Sequence, residues 1–190
     1  DGSGEAQYLG ERRQALLAVE NEALGLVMIR ASDALNRSDL EAGVAPGFEE
    51  TARRELQELG IAAAAAGRGG LSFSGRLEQA WRANLGAGTL SRVLMRLERF
   101  KATGFAEFRA RLAAVPWELH LADGARARFA VSAARSRLWH EGRLAEEAAR
   151  AVSSRMAAAG LRVEAGAAQE GDPGQLILIR LEENRCQVSL

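Results

Sequence analysis

The sequence predicts an α/β protein of the α+β kind, and three observations point to it. Helical apolar stripes alternate with short β-patterned runs along the whole chain. Between residues 41 and 100 these elements follow the order β-α-β-β-α-β, the ferredoxin-like split pattern. The 190 residues are 47% hydrophobic and 26% charged, enough for a buried core and unlike a disordered chain.

Each element has a local reason. Ala42–Ala45 reads as a short strand. Pro46-Gly47 then opens a helix with Phe48, Ala52, Leu56 and Leu59 on one face and Gly60 as its cap. Gly67-Arg68-Gly69-Gly70 between Ile61–Ala66 and Leu71–Ser74 reads as a hairpin, although alanine alone would favour helix. A second helix spans 75–85, with Leu77, Trp81 and Leu85 as its apolar stripe. Ser91–Phe100 alternates as a strand with Val93, Met95 and Leu97 inward and Arg92, Arg96 and Glu98 outward.

The second half repeats the mixture. Phe105, Phe108, Leu112 and Val115 form a helical stripe ending at Pro116-Trp117, and Arg128–Ala133 is strand-like. A long helix runs from about Glu141 to Ala159, with Leu144, Ala148, Val152 and Met156 inward and Gly160 as its cap. Leu161–Glu164 is a short strand, and Gln175–Leu181 and Arg185–Leu190 are strands joined by a turn at Glu182-Glu183-Asn184. In the first forty residues Ala6–Leu9 reads as a strand and 11–24 as a helix.

Composition excludes several function classes. Cys186 is the single cysteine, so no intramolecular disulfide forms, and with only His120 and His140 there is no zinc cluster. No metal and no cofactor are expected. No apolar run reaches the roughly 20 residues of a membrane span, and a cytoplasmic protein is the expectation. The formal charge is zero, yet residues 76–111 hold eight basic residues against three glutamates, and 126–143 hold five arginines against one glutamate. This segregation presents either a basic face or merely the solvated sides of ordinary helices.

Several blocks in order resemble the RNA-binding part of the bacterial THUMP-containing RNA methyltransferases, which methylate N2 of guanosine in rRNA, and their tRNA-modifying relatives. The blocks are Val44-Ala45-Pro46-Gly47-Phe48-Glu49-Glu50, Leu71-Ser72-Phe73-Ser74-Gly75, Trp81-Arg82-Ala83-Asn84-Leu85, Ser91 to Leu97, Phe129-Ala130-Val131, and Ser136-Arg137-Leu138-Trp139-His140. The resemblance implies a ferredoxin-like domain at 41–100 and a THUMP domain at 101–190, with 1–40 a terminal segment. In that family the strand similar to Cys186–Leu190 runs on into an Asp-x-Ser-Gly-Glu turn, which here resembles Asp1-Gly2-Ser3-Gly4-Glu5. A circularly permuted order is therefore expected, with residues 1–9 completing the THUMP sheet. The alternative is an unrelated extension.

The resemblance also implies where chemistry sits. The family's catalytic half binds S-adenosylmethionine and carries Asn/Asp-Pro-Pro-Tyr, but this sequence has no Pro-Pro pair and no G-x-G-x-x-G turn. The expectation is a binding module and not an enzyme. Its partner would be structured RNA, either the tRNA acceptor end or rRNA. The candidate contacts are Arg135, Ser136, Arg137, His140 and Arg143, in a basic loop that enters a helix whose N-terminal N–H groups favour an anion. Arg82 and Asn84 come second. Trp139 is expected to pack in the core, with base stacking as the alternative, and His140 is either a hydrogen-bonding or a packing residue. Two other readings stay open: a subunit or fragment of a SAM-dependent guanine-N2 methyltransferase needing a catalytic partner, and a protein-interaction module that has lost RNA binding.

Overall fold

The computed structural model describes residues 38–169, 171 and 173–190. The expected strand, helix and permuted continuation of the first 37 residues lie outside these, as does the test of whether Asp1 approaches Leu190. Among the described residues the elements run β1 (Ser38–Val44), α1 (Glu49–Glu58), β2 (Ala64–Ala65), β3 (Gly70–Gly75), α2 (Leu77–Gly86) and β4 (Leu90–Lys101). Then follow α3 (Phe105–Ala114), a 3-10 turn (Trp117–Leu119), β5 (Ala125–Ala134), α4 (Glu141–Ala158), β6 (Val163–Ala167), β7 (Gln175–Glu182) and β8 (Arg185–Ser189). The α+β class and the ferredoxin-like unit are as expected.

All eight strands join one sheet in the order β2-β3-β1-β4-β8-β7-β5-β6. The first four give the antiparallel ferredoxin-like arrangement. Strand β8 pairs antiparallel with β4 and β7, whereas β5 runs parallel to both β7 and β6. Two apolar cores lie along this sheet. Leu40, Ala42, Leu56, Leu71 and Ala83 belong to one; Phe108, Trp117, Phe129, Leu144, Ile177 and Val188 belong to the other. Strand β4 serves both, because Val93 and Met95 pack on the first core and Leu97 and Phe100 on the second.

Local sequence explains most elements. Helix α1 opens with Glu49 and Glu50, which suit the positive end of its dipole. The Glu49 carboxylate accepts from the Gly69 and Gly47 N–H groups at 2.7 and 2.8 Å, clamping the β2–β3 turn to the helix start. Those donors, Gly69 first, hold the carboxyl below its ordinary range. Gly60 ends the helix in the left-handed region, φ 74°. Helix α4 buries Leu144, Ala148, Val152 and Met156 completely, as its spacing predicts.

Three expectations are corrected. The Leu77–Trp81–Leu85 stripe faces solvent, with Leu85 90% exposed, while Ala80 and Ala83 turn to the sheet. Small alanines let α2 lie close to the strands, so the bulky side chains are left outside. Phe48 is likewise exposed, standing before the first turn of α1 rather than on its inner face. A bulge between Arg96 and Glu98 shifts the register of β4, so Glu98 meets Arg111 of α3 at 3.4 Å instead of sharing Arg96's side.

One partly buried pair predicts acid sensitivity. His120 lies behind the 3-10 turn, and burial pushes its imidazole below the usual 6.5, opposed in part by the Glu118 charge. Burial works against the Glu118 carboxylate too, but Arg155, 3.0 Å away, outweighs it, and Glu118 titrates low. Both folded-state values are depressed, so their stabilisation is present above the unfolded values and lost as pH falls. Between pH 7 and 5 the loss comes from His120, and Glu118 adds to it below about 4.5. Melting temperature should fall from pH 7 to pH 5, and His120→Gln should shrink that difference; an equal fall in the variant would clear His120.

Candidate functional site

The expected contact loop sits where β5 hands over to α4. Arg135 adopts a left-handed backbone, φ 47°, and turns the chain out of the strand. The Ser136 hydroxyl donates to the Ala134 carbonyl at 2.9 Å and accepts from the Asn184 N–H at 3.0 Å. The Arg137 N–H reaches the Asn184 side-chain oxygen at 2.8 Å. Asn184 and Glu183 form the β7–β8 turn, both at positive φ, where asparagine is well suited. The loop is thus locked onto a hairpin tip 47 positions away in sequence. Glu141, in the first turn of α4, accepts from the Ala133 N–H at 3.1 Å and fixes the other side.

This frame decides which side chains are free. Arg135 pairs with Glu182 and Glu183, so its charge is already met. Ser136 spends its hydroxyl on the loop itself. Arg137 is exposed and has no side-chain partner among the described residues. Leu138 is buried and anchors the loop. Trp139, expected in the core, is 64% exposed, because the buried place on this short loop goes to Leu138. Its ring lies 3.5 Å from that of His140, centroid to centroid, and His140 stands at the N-cap position of α4 without a capping side-chain bond. Arg143, one turn further, is exposed and lies over the Phe105 ring at 4.3 Å, with no carboxylate partner among the described residues.

Arg82 and Asn84 do not join this group. Arg82 pairs with Glu78 at 2.9 Å and reaches the Leu59 carbonyl at 3.5 Å, and Asn84 is exposed. Both lie in the last turns of α2, which leads into β4 at Leu90. The hairpin tip stands at the other end of β4, where the Ala102 N–H meets the Asn184 carbonyl at 2.9 Å. At about 3.3 Å per residue, the ends of that 12-residue strand are roughly 35 Å apart.

Sequence reading also missed a feature of the sheet. Helices cover one face, and across the other runs a groove of about 670 Å³ lined from β1, β4, β5, β7, β8 and the β2–β3 turn. Its residues come from distant strands, so no local spacing marks it. Cys186 borders it from beneath; burial pushes the thiol up to about 12, leaving it protonated and inert. Among the described residues no group of three or more His, Cys, Asp or Glu side chains can hold a metal. No helix there is long and apolar enough to cross a membrane.

Comparison with known proteins bears on this geometry. Residues 39–94 match the family described as the RlmL ferredoxin-like domain. A 67-residue stretch is 42% identical to the ribosomal RNA large subunit methyltransferase K/L of Allochromatium vinosum, covering 35% of this chain and 9% of that protein. The matched region is therefore about a tenth of the curated relative's length. A predicted N6-adenine-specific DNA methylase from Listeria monocytogenes superposes with a TM-score of 0.70 at 23% identity, over 82% of this chain and 40% of its own. SMU.472, described as a methyltransferase and solved with SAH, gives 0.70 at 24% identity over 81% and 41%.

These superpositions overturn the expectation that the chain is not an enzyme. Most of its backbone follows a path found within methyltransferases, one of them holding SAH. Missing motifs do not decide the matter, because the shared fold spans 82% of this chain and 40% of the methylase it superposes on.

Proposed function

We propose that this chain supplies the RNA-recognition part of a SAM-dependent RNA methyltransferase, with a ferredoxin-like domain at about 41–100 followed by a THUMP domain at about 101–190. Its target is structured RNA, a tRNA acceptor end or rRNA. The observation that carries this reading is the exposed Trp139–His140 stack flanked by Arg137 and Arg143, neither with a carboxylate partner among the described residues, on a loop that Ser136 and Asn184 hold rigid. Aromatic rings offer a face to an unpaired base, guanidinium groups hold phosphates in a fork, and the α4 N-terminus adds backbone donors. The similarity to an rRNA methyltransferase supports RNA as the ligand.

S-adenosylmethionine would supply the methyl group in such an enzyme. The glycine-rich turns at 67–70, between β2 and β3, and at 86–88, at the end of α2, are not the strand-to-helix turn that cradles a nucleotide cofactor. No step of methyl transfer is assigned to them. The exposed Leu77, Trp81 and Leu85 favour reading the unit as one part of a larger methyltransferase, since such apolar groupings mark contact surfaces.

The test is a salt-titrated anisotropy assay of the full chain with bulk tRNA, tRNA trimmed of its 3′ end, and a plain RNA duplex. Salt-dependent binding that needs the intact 3′ end is the expected result. No binding to any of the three at low salt would sink the reading.

A further inference from the structure

We propose that the groove on the open face of the sheet is a second RNA-binding surface, which grips the phosphate backbone without reading bases. The proposal rests on the RNA reading above and extends it to a place the contact loop does not reach.

The first argument is charge. Three carboxylates line the groove, Glu41, Glu182 and Glu183. Each is already engaged by an arginine outside its lining: Glu41 by Arg96, and Glu182 and Glu183 by Arg135. Five arginines also line it: Arg68 lies close enough to Glu49 to favour its charged form, and Arg92, Arg99, Arg180 and Arg185 have no carboxylate partner among the described residues. The groove thus holds four uncompensated guanidinium groups in a protein whose formal net charge is zero. A concave surface of one sign focuses potential on an anionic ligand.

Register supplies the second argument. Arg99 of β4 pairs with Gln187 of β8, and Gln187 with Arg180 of β7. Paired residues point to the same face, so Arg99, Gln187 and Arg180 form a row across three adjacent strands. With neighbouring strands 4.7–4.9 Å apart, the two arginines stand roughly 10 Å apart at the backbone. Arg99 donates to the Gln187 side-chain oxygen at 3.3 Å, and Gln187 donates to Glu41 at 2.6 Å. These bonds orient the row while leaving most guanidinium donors open to phosphate oxygens.

The lining also says what the groove does not read. No aromatic ring of the described residues lines it; between the arginines lie Gly43, Leu94, Ala130 and Leu178. Without a stacking platform the sheet face has no hold on a base, so contact there is to the backbone and indifferent to sequence. Glu182, Glu183 and Arg185 lie at the hairpin tip on which the Trp139 loop is locked. The two surfaces meet there, so an RNA strand bound at Trp139 has a charged path to follow.

The experiment compares Arg99→Gln/Arg180→Gln/Arg185→Gln with Arg137→Ala/Arg143→Ala and the unaltered chain, using tRNA and two homopolymers, poly(U) and poly(A). The groove variant is expected to bind about tenfold more weakly on every RNA, with the log–log salt slope flatter by about 2, as the removal of three single-strand phosphate holds requires. Glu41→Gln carries the test with opposite sign, because it removes a carboxylate from the groove away from the contact loop; it should tighten binding and steepen the slope, and it guards against a misfolded triple variant. A groove variant with the slope and affinity of the unaltered chain, while the loop variant loses both, overturns the groove and leaves the RNA reading standing. A loss confined to one homopolymer overturns backbone recognition. Absence of RNA binding by the unaltered chain overturns both readings.

Discussion

Replacing Arg137 and Arg143 together by alanine is expected to weaken binding of tRNA with an intact 3′ end by about tenfold or more, because two charge-assisted hydrogen-bonding groups are removed. The log–log salt slope should flatten by about 1.4, since each phosphate released on a single strand accounts for about 0.7. Stability should fall only slightly. Both side chains are exposed and neither has a carboxylate partner among the described residues, so the cost is about 0.5–1 kcal/mol, most of it the Arg143 contact with the Phe105 ring. Arg135→Ala makes the internal comparison. That guanidinium is already held by Glu182 and Glu183, so its removal should lower affinity less than the removal of Arg137 alone. If Arg135 proves the dominant contact, the ion pairs at the hairpin tip are too weak to withhold it from RNA. If the double variant keeps the original slope, the contact loop is not the binding site.

That contrast between neighbouring arginines shows where sequence reading stops. The basic cluster at 135–143 and its place before a helix were legible, since loop composition and the α4 stripe are local signals. Which arginine is available was not, because the carboxylates that take Arg135 arrive on another strand. Trp139 follows the same logic: apolar bulk argues for burial, yet Leu138 occupies the buried place and the indole is left outside. In α2 the hydrophobic residues gave the right period and the wrong face, because the sheet accepts Ala80 and Ala83 closely. The bulge in β4 is invisible to an alternation rule, so Glu98 was assigned to the wrong side. The groove arginines are unremarkable one by one; only the pairing of β4, β8 and β7 makes a row of them. By contrast the β-α-β-β-α-β order, the turn at Glu182-Glu183-Asn184 and the inner face of α4 follow from periodicity and turn chemistry alone.

Trp117→Ala should be the most destabilising single change in the second core. Trp117 is fully buried, and its indole N–H donates to the Leu112 carbonyl at 2.8 Å. Truncation removes a large apolar surface, leaves a cavity in the core that also holds Phe108 and Leu112, and abolishes that bond; such changes cost about 3–5 kcal/mol. For a chain of this size about 2–4 °C is lost per kcal/mol, so melting should fall by roughly 6–20 °C. Trp117→Phe separates the causes: it keeps most of the ring and loses the donor, so its cost should be clearly smaller. Circular dichroism should follow one transition, not two, because β4 packs Val93 and Met95 into one core and Phe100 into the other. Two separated transitions, with the earlier one alone shifted by Trp117→Ala, would mean that the β4–β8 pairing does not couple the cores. The sheet would then be continuous in structure but not cooperative in unfolding, and a groove that spans it could open at that seam.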